Sequence, residues 1–232
     1  MHELKTILST RRAYQFAQDD IRLTTLSIRG VIDAIKTGFN FEVAEIGTPT
    51  TSFGPAALTN PPGLAFGLGL IPFPEEGSVV RSMSIEARRI VFDVVAPTTV
   101  IPDSLDRLRQ IVNVFHTAEK VELIGEPVSF RDYSELVIQS DSIFDAVLKS
   151  EALATVLNAL ASLEEKMALV PAVRFQTQAP NMEFPGTSEI DADWMRLEVR
   201  AGTSPSQHLI FSGAPLSTDD HLALLARLAG SG

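Results

Sequence analysis

Cysteine is absent from the 232 residues, which excludes disulfide bridges, thiolate nucleophiles and cysteine-based zinc sites and leaves the redox compartment open. Long hydrophobic runs are missing as well. Even GLAFGLGLIPF, from Gly63 to Phe73, is short, broken by glycine and bounded by proline, well below the roughly 18 apolar residues of a membrane-spanning helix. Basic charge is scarce: 19 Lys and Arg stand against 29 Asp and Glu, a formal net charge of −10. That balance opposes non-specific binding to nucleic acid and docking on anionic lipid. Residues 1 to 36 are a slightly basic exception, with Lys5, Arg11, Arg12, Arg22, Arg29 and Lys36 against Glu3, Asp19, Asp20 and Asp33; a solvated face accounts for such a pattern. The opening residues MHELKTILSTRRAYQF lack the basic n-region, apolar h-region and small-residue cleavage site of a signal peptide. The expectation is a cytoplasmic protein without a membrane partner.

What the chain does have is 45 % apolar residues, enough for an ordinary core. Its most conspicuous stretch is NPPGLAFGLGLIPFPEEG, Asn60 to Gly77. A phosphate loop needs its glycines between a strand and a helix N-terminus, whose free amides and dipole hold the anion. Here Pro72, Pro74 and the Glu-Glu-Gly turn that follows forbid a helix, and no Lys or Ser/Thr stands ready for a phosphate or its metal. The stretch reads as a strand whose glycines admit a bulge or close backbone packing.

Periodicity orders the rest. Residues 1 to 38 read as mainly helical, from Leu4, Ile7 and Leu8 and then Ile28, Val31, Ile32 and Ile35, with Gly38 as the stop; Ile21 to Ile28 also fits a strand. FNFEVAEIG alternates as a strand and leads into a long turn-rich loop to Gly63. Arg81 to Thr98 reads as one long strand whose buried phase changes at Arg88-Arg89, as at a bulge. A helix follows, with Pro102 in its first turn and Leu105, Leu108, Ile111, Val112 and Phe115 on one face. A second series repeats the order: strand 129–139, a helical stretch over 140–166, strand 168–178, a hairpin of WMRLEVRAG with HLIFSG, and a last helix capped by Ser217 or Thr218 and ended by Gly230.

The four histidines, His2, His116, His208 and His221, form no HExxH motif and no pair at helical ligand spacing. His116 near a helix end reads as a residue that complements the dipole, and His221 lies in a first turn where the adjacent acids Asp219 and Asp220 suit the helix start. No Gly-x-Ser-x-Gly elbow or Ser-x-x-Lys stands at a strand-to-helix turn. Paired acids such as Glu75-Glu76, Asp19-Asp20 and Glu164-Glu165 sit where solubility puts them, and Glu189, Asp191 and Asp193 lack the spacing and glycine of a calcium loop. No cofactor or metal is therefore expected. The remaining candidates are arginines, Arg11 and Arg12 in the basic N-terminal segment and Arg88, Arg89, Arg196 and Arg200 on strands; guanidinium forks suit a partner's carboxylates, and those on strands equally suit cross-strand pairs.

These readings give an α+β fold: antiparallel sheets with helices packed on one face, arranged either as two tandem halves of helix, three strands, helix or as a single large sheet formed from both. The boundaries are 1–38 for the N-terminal segment, 39–122 for the first half and 123–232 for the second. The function expected is a non-catalytic interaction or assembly subunit, bound to a protein partner or to itself as a homodimer. The alternative is a small-ligand-binding domain or a metal-independent enzyme with a pocket between helices and sheet.

Overall fold

The computed structural model describes residues 2–18, 20–21, 28–47, 63–67, 80–115, 123–145, 155, 172–176, 194–200 and 205–230. The loop 48–62, most of 60–77 and 21–28, His116 and the acids at 189, 191 and 193 lie outside them. Among the described residues the fold is α+β. The strands are β1 (His2–Phe16), β2 (Val43–Gly47), β3 (Gly63–Gly67), β4 (Val80–Ile85), β5 (Arg89–Val94), β6 (Pro127–Ser140), β7 (Ala172–Gln176), β8 (Trp194–Val199) and β9 (Leu209–Ala214). The helices are α1 (Ile28–Phe39), α2 (Ile101–Asn113), the single turn α3 (Asp141–Ile143) and α4 (Thr218–Gly230). No helix among them is long and apolar enough to cross a membrane.

Two compact units divide the chain within its two longest strands. The first holds Thr10–Asp132 with Pro185–Glu189, and the second holds Met1–Ser9, Tyr133–Phe184 and Ile190–Gly232. In the first unit the strands run in the order β2-β3-β4-β5-β1-β6, with β2–β3, β3–β4, β4–β5 and β5–β1 antiparallel. Its core joins Tyr14 and Phe16 of β1, Phe66, Met83, Ile85, Ile90, Phe92 and Val94 to Val31, Ile35 and Phe39 of α1 and Leu105, Leu108 and Val112 of α2. The second unit has the order β1-β6-β9-β8-β7, with β6–β9, β9–β8 and β8–β7 antiparallel. There Leu136, Ile138, Met195, Leu197 and Ile210 form a cluster with Ile143, Phe144 and Leu225.

Residues 2–16 are a strand, where the spacing of Leu4, Ile7 and Leu8 suggested a helix. Thr10, Arg12 and Tyr14 lie opposite Val94, Phe92 and Ile90, so a period of two decides the element, helped by the β-branched and aromatic residues Thr6, Ile7, Thr10 and Tyr14. The expected single strand 81–98 is a hairpin. The phase change at Arg88-Arg89 is its turn, closed by the Glu86 amide donating to the Arg89 carbonyl at 2.8 Å, and the register shift lies instead between Val80 and Ser82. Nor does Gly38 end α1. Asn40 does so, in the left-handed region at φ 57, and the Phe41 amide returns to the Lys36 carbonyl at 2.9 Å, a Schellman closure that Asn tolerates. Gly38 instead admits the Ile111 side chain of α2, which a Cβ there would meet.

Candidate functional site

Consecutive residues of a strand point to opposite sides of its sheet, and β1 uses this to separate its two arginines. Arg12 stands opposite Phe92 and is half-buried. Its Nε and Nη2 donate to Asp132 Oδ1 and Oδ2 at 2.6 and 2.7 Å, a bidentate fork. The guanidinium carbon lies 4.2 Å from the Phe130 ring centroid and 5.8 Å from that of Tyr14. Burial alone would lower the Arg12 pKa, but hydrogen bonding and charge from Asp132 and Tyr14 outweigh it and raise the value. The Tyr14 hydroxyl is also raised, chiefly by its own burial.

On the other side of β1, Arg11 lies opposite Asp93, whose Oδ2 is 3.6 Å from Arg11 Nε and 2.6 Å from Arg81 Nη2. Arg89 is buried and pairs with Glu86 at 2.6 Å. Arg88 is exposed in the β4–β5 turn and donates to the Phe16 carbonyl at 3.4 Å. The first unit thus brings Arg11, Arg12, Arg88 and Arg89 to β1 and the adjoining hairpin, where acids of the same unit engage Arg11, Arg12 and Arg89.

In the second unit Arg196 stands opposite Gly213. Its Nη2 lies 3.3 Å from Glu135 Oε1, which also accepts from the Tyr133 hydroxyl at 3.3 Å, and its guanidinium lies 4.4 Å from the Phe211 centroid. Arg200 follows β8, exposed, its amide donating to the Leu209 carbonyl at 2.9 Å. Gly213 makes this arrangement possible, because a Cβ there would lie 2.6 Å from the Tyr133 hydroxyl. Gly213→Ala is expected to cost about 1–3 kcal/mol through overpacking against a buried, rigid ring. Thermal melts of Gly213→Ala with and without Tyr133→Phe check this, since removing the hydroxyl restores part of the loss.

One histidine behaves differently from the sequence expectation. Ser217, one of the two caps expected, serves the start of α4, its Oγ accepting from the Asp220 amide at 3.1 Å, while His221 turns to the interior. The His221 ring is fully buried, with Nδ1 2.8 Å from Ser134 Oγ and Nε2 2.7 Å from Ser212 Oγ. Burial pushes its pKa down to about 4. A serine–histidine contact of this kind resembles a nucleophile and its base, but with all three residues sealed from solvent it has no access to a substrate. His208 lies at φ 48, pairs through Nδ1 with Asp141 Oδ1 and stacks on Phe144 at 4.7 Å. No group of three or more metal-ligating side chains occurs among the described residues. A shallow polar hollow on α2 is lined by Asp103, Asp106, Arg107 and Gln110.

The most exposed large apolar strand residues among those described lie on β6, where the Phe130 ring meets Arg12. Val128 and Phe130 of β6 are 64 % and 52 % exposed, two residues apart and therefore on one side of the strand. The sequence singled out the arginines and passed over these two, since an alternating SFRDYS gives no sign of which side stays open. The chain matches no protein-family model and no curated protein.

Proposed function

We propose that the chain is a non-catalytic assembly subunit that pairs with a second copy of itself through the first half of β6. The observation that carries this reading is the exposure of Val128 and Phe130 on a segment that lies ahead of the β6–β9 ladder, which begins at Ser134. Aromatic side chains beside a partly desolvated arginine are typical anchors of an interface. The segment is also self-complementary. An antiparallel pairing centred on Phe130 sets Val128 opposite Asp132 and Ser129 opposite Arg131, so no like charges meet. The outer strand β7, centred on itself, would oppose Arg174 to Arg174, which is destabilising. The sealed environment of His221 is a further argument against hydrolytic chemistry at that Ser–His contact.

The tandem organisation belongs to this same reading. Phe92, Val94, Thr98, Ile101 and Leu105 are matched at one constant spacing by Ser212, Ala214, Thr218, His221 and Leu225. Thr98 and Thr218 are both buried. A hydroxyl from the preceding long strand bonds the following turn in each half, Thr10 Oγ1 to the Ala96 carbonyl at 2.6 Å and Ser134 Oγ to the Leu216 carbonyl at 3.1 Å. These correspondences support a duplicated unit of strand, helix, antiparallel strands and helix, with four inner strands (β2–β5) in the first half and β7–β9 described in the second, and with the helices on the side of the sheet that holds the apolar clusters. A small-ligand site is the second reading, favoured by the His208–Asp141 pair, whose imidazole is oriented by a carboxylate as a general base would be.

Light scattering on the full chain tests the proposal. A dimer at micromolar concentrations is expected, and Phe130→Asp should be monomeric with an unchanged far-ultraviolet spectrum. A wild-type monomer across that range, or an unaltered dimer in Phe130→Asp, would overturn it.

A further inference from the structure

The C-terminal helix carries its one buried titratable group against the sheet of the second unit. His221, Ser134 and Ser212 are each 0 % exposed, and their hydrogen bonds assign the imidazole's protons. Ser134 Oγ has a single proton and lies 3.1 Å from the Leu216 carbonyl, which can only accept. The proton goes there, so Ser134 Oγ accepts from His221 Nδ1–H at 2.8 Å. His221 Nε2 then holds the lone pair and accepts from Ser212 Oγ–H at 2.7 Å. The neutral ring in this tautomer satisfies every donor and acceptor of the cluster, and it joins α4 to both β6 and β9.

A second ring proton has nowhere to go. It would meet Ser212 Oγ–H, and that hydroxyl could accept only by turning its own proton into the apolar cluster of Leu136, Ile210, Ala214 and Leu225. Among the described residues no charge compensates the imidazolium. On the same side β6 presents Ser134 and Leu136, and β9 presents Ile210, Ser212 and Ala214. From α3 come Ile143 and Phe144, both buried, while Asp141 and Asp145 are exposed. Ile7 of β1 packs on the cluster, with Glu3 and Lys5 exposed. On α4 itself Asp219, Asp220 and Arg227 are exposed, and Asp220 is bonded to Ser217. In the first unit the corresponding helix α2 sets Ile101, fully buried, into its core.

We propose that His221 makes α4 an acid-sensitive latch: protonation of its ring releases the helix from β6 and β9, while α2 stays closed over the same pH range. With the helix closed, burial holds the ring neutral down to about pH 4; with the helix open, the ring recovers its ordinary value near 6.5. The open form therefore binds a proton that the closed form refuses between those limits. The latch is at full strength above about pH 6.5 and weakens as pH falls. The open population should rise about tenfold per pH unit in that window, roughly thirtyfold by about pH 5.

Hydrogen exchange read by mass spectrometry on the full chain at about pH 7 and pH 5, with rates corrected for intrinsic pH dependence, tests this. Protection of α4 should fall about twentyfold between these two pH values while that of α2 is unchanged, since only the open form of α4 gains a proton. In His221→Leu the pH dependence of α4 should vanish, whatever its absolute protection. A carbon–nitrogen correlation spectrum of the wild-type histidines provides a second reading that needs no variant: His221 should remain the Nδ1–H tautomer at pH 5. An equal acid effect on α4 in wild type and His221→Leu, or titration of the His221 ring at the ordinary histidine value, would overturn the proposal.

Discussion

Phe92→Ala should remove about 3–5 kcal/mol of stability, the range for emptying an aromatic site in a packed core. Phe92 is fully buried in β5, between Arg12 of β1 and Met83 of β4. Its ring meets Tyr14 edge-on at 6.2 Å and Phe39 of α1 at 6.4 Å. Truncation strands both aromatic neighbours beside a void that neither can fill, because Tyr14 is tied to the Arg12 cluster and Phe39 is stacked on Phe41 at 5.5 Å. Phe92→Leu keeps most of the volume and should cost distinctly less. Urea titration followed by circular dichroism checks the pair: the midpoint should fall in the order wild type, Leu, Ala at constant slope. An alanine variant with a wild-type midpoint would mean that the core of the first unit is not built around this ring.

Local pattern made some elements legible and concealed others. The β8–β9 hairpin follows from the alternation of Met195, Leu197 and Val199, α2 from Pro102 and its apolar stripe, and residues 63–67 from the refusal of prolines to continue into a helix. β1 was hidden because Leu4, Ile7 and Leu8 fit a helical stripe, and only pairing with β5 makes the period of two decisive. The hairpin turn at Glu86–Arg89 mimicked a bulge, since both shift the buried phase by one residue. Among the candidate arginines, residue type was readable but partnership was not. Arg12 finds Asp132 across 120 positions of sequence, and no local rule brings those two together. His221 is the sharpest case. Its neighbours Asp219 and Asp220 suit a helix start, yet the side chain is decided by Ser134, 87 positions away, and by Ser212.

Asp132→Ala should cost about 3–5 kcal/mol, comparable with the loss of a core aromatic, because it leaves a guanidinium in a place built for a pair. The two side chains are only 11 % and 9 % exposed, so water reaches neither well enough to replace the missing partner. The energy lies in the asymmetry and not in the bond itself. Desolvating both ions offsets most of their attraction, and a well-packed apolar pair of similar volume is often neutral or better. Arg12→Met with Asp132→Leu should therefore regain most of what Asp132→Ala loses, Met keeping the stem that packs along Phe130 and Tyr14. Denaturant titration of Arg12→Met, Asp132→Leu and the double variant gives the coupling energy directly. Strong coupling with a stable double variant identifies Arg12 as an internal clamp that holds β1 and β6 in register and keeps Phe130 presented to solvent. Additive losses in the two single variants, with no coupling between them, would place the stabilising contact of Arg12 elsewhere, and the clamp would have to be abandoned.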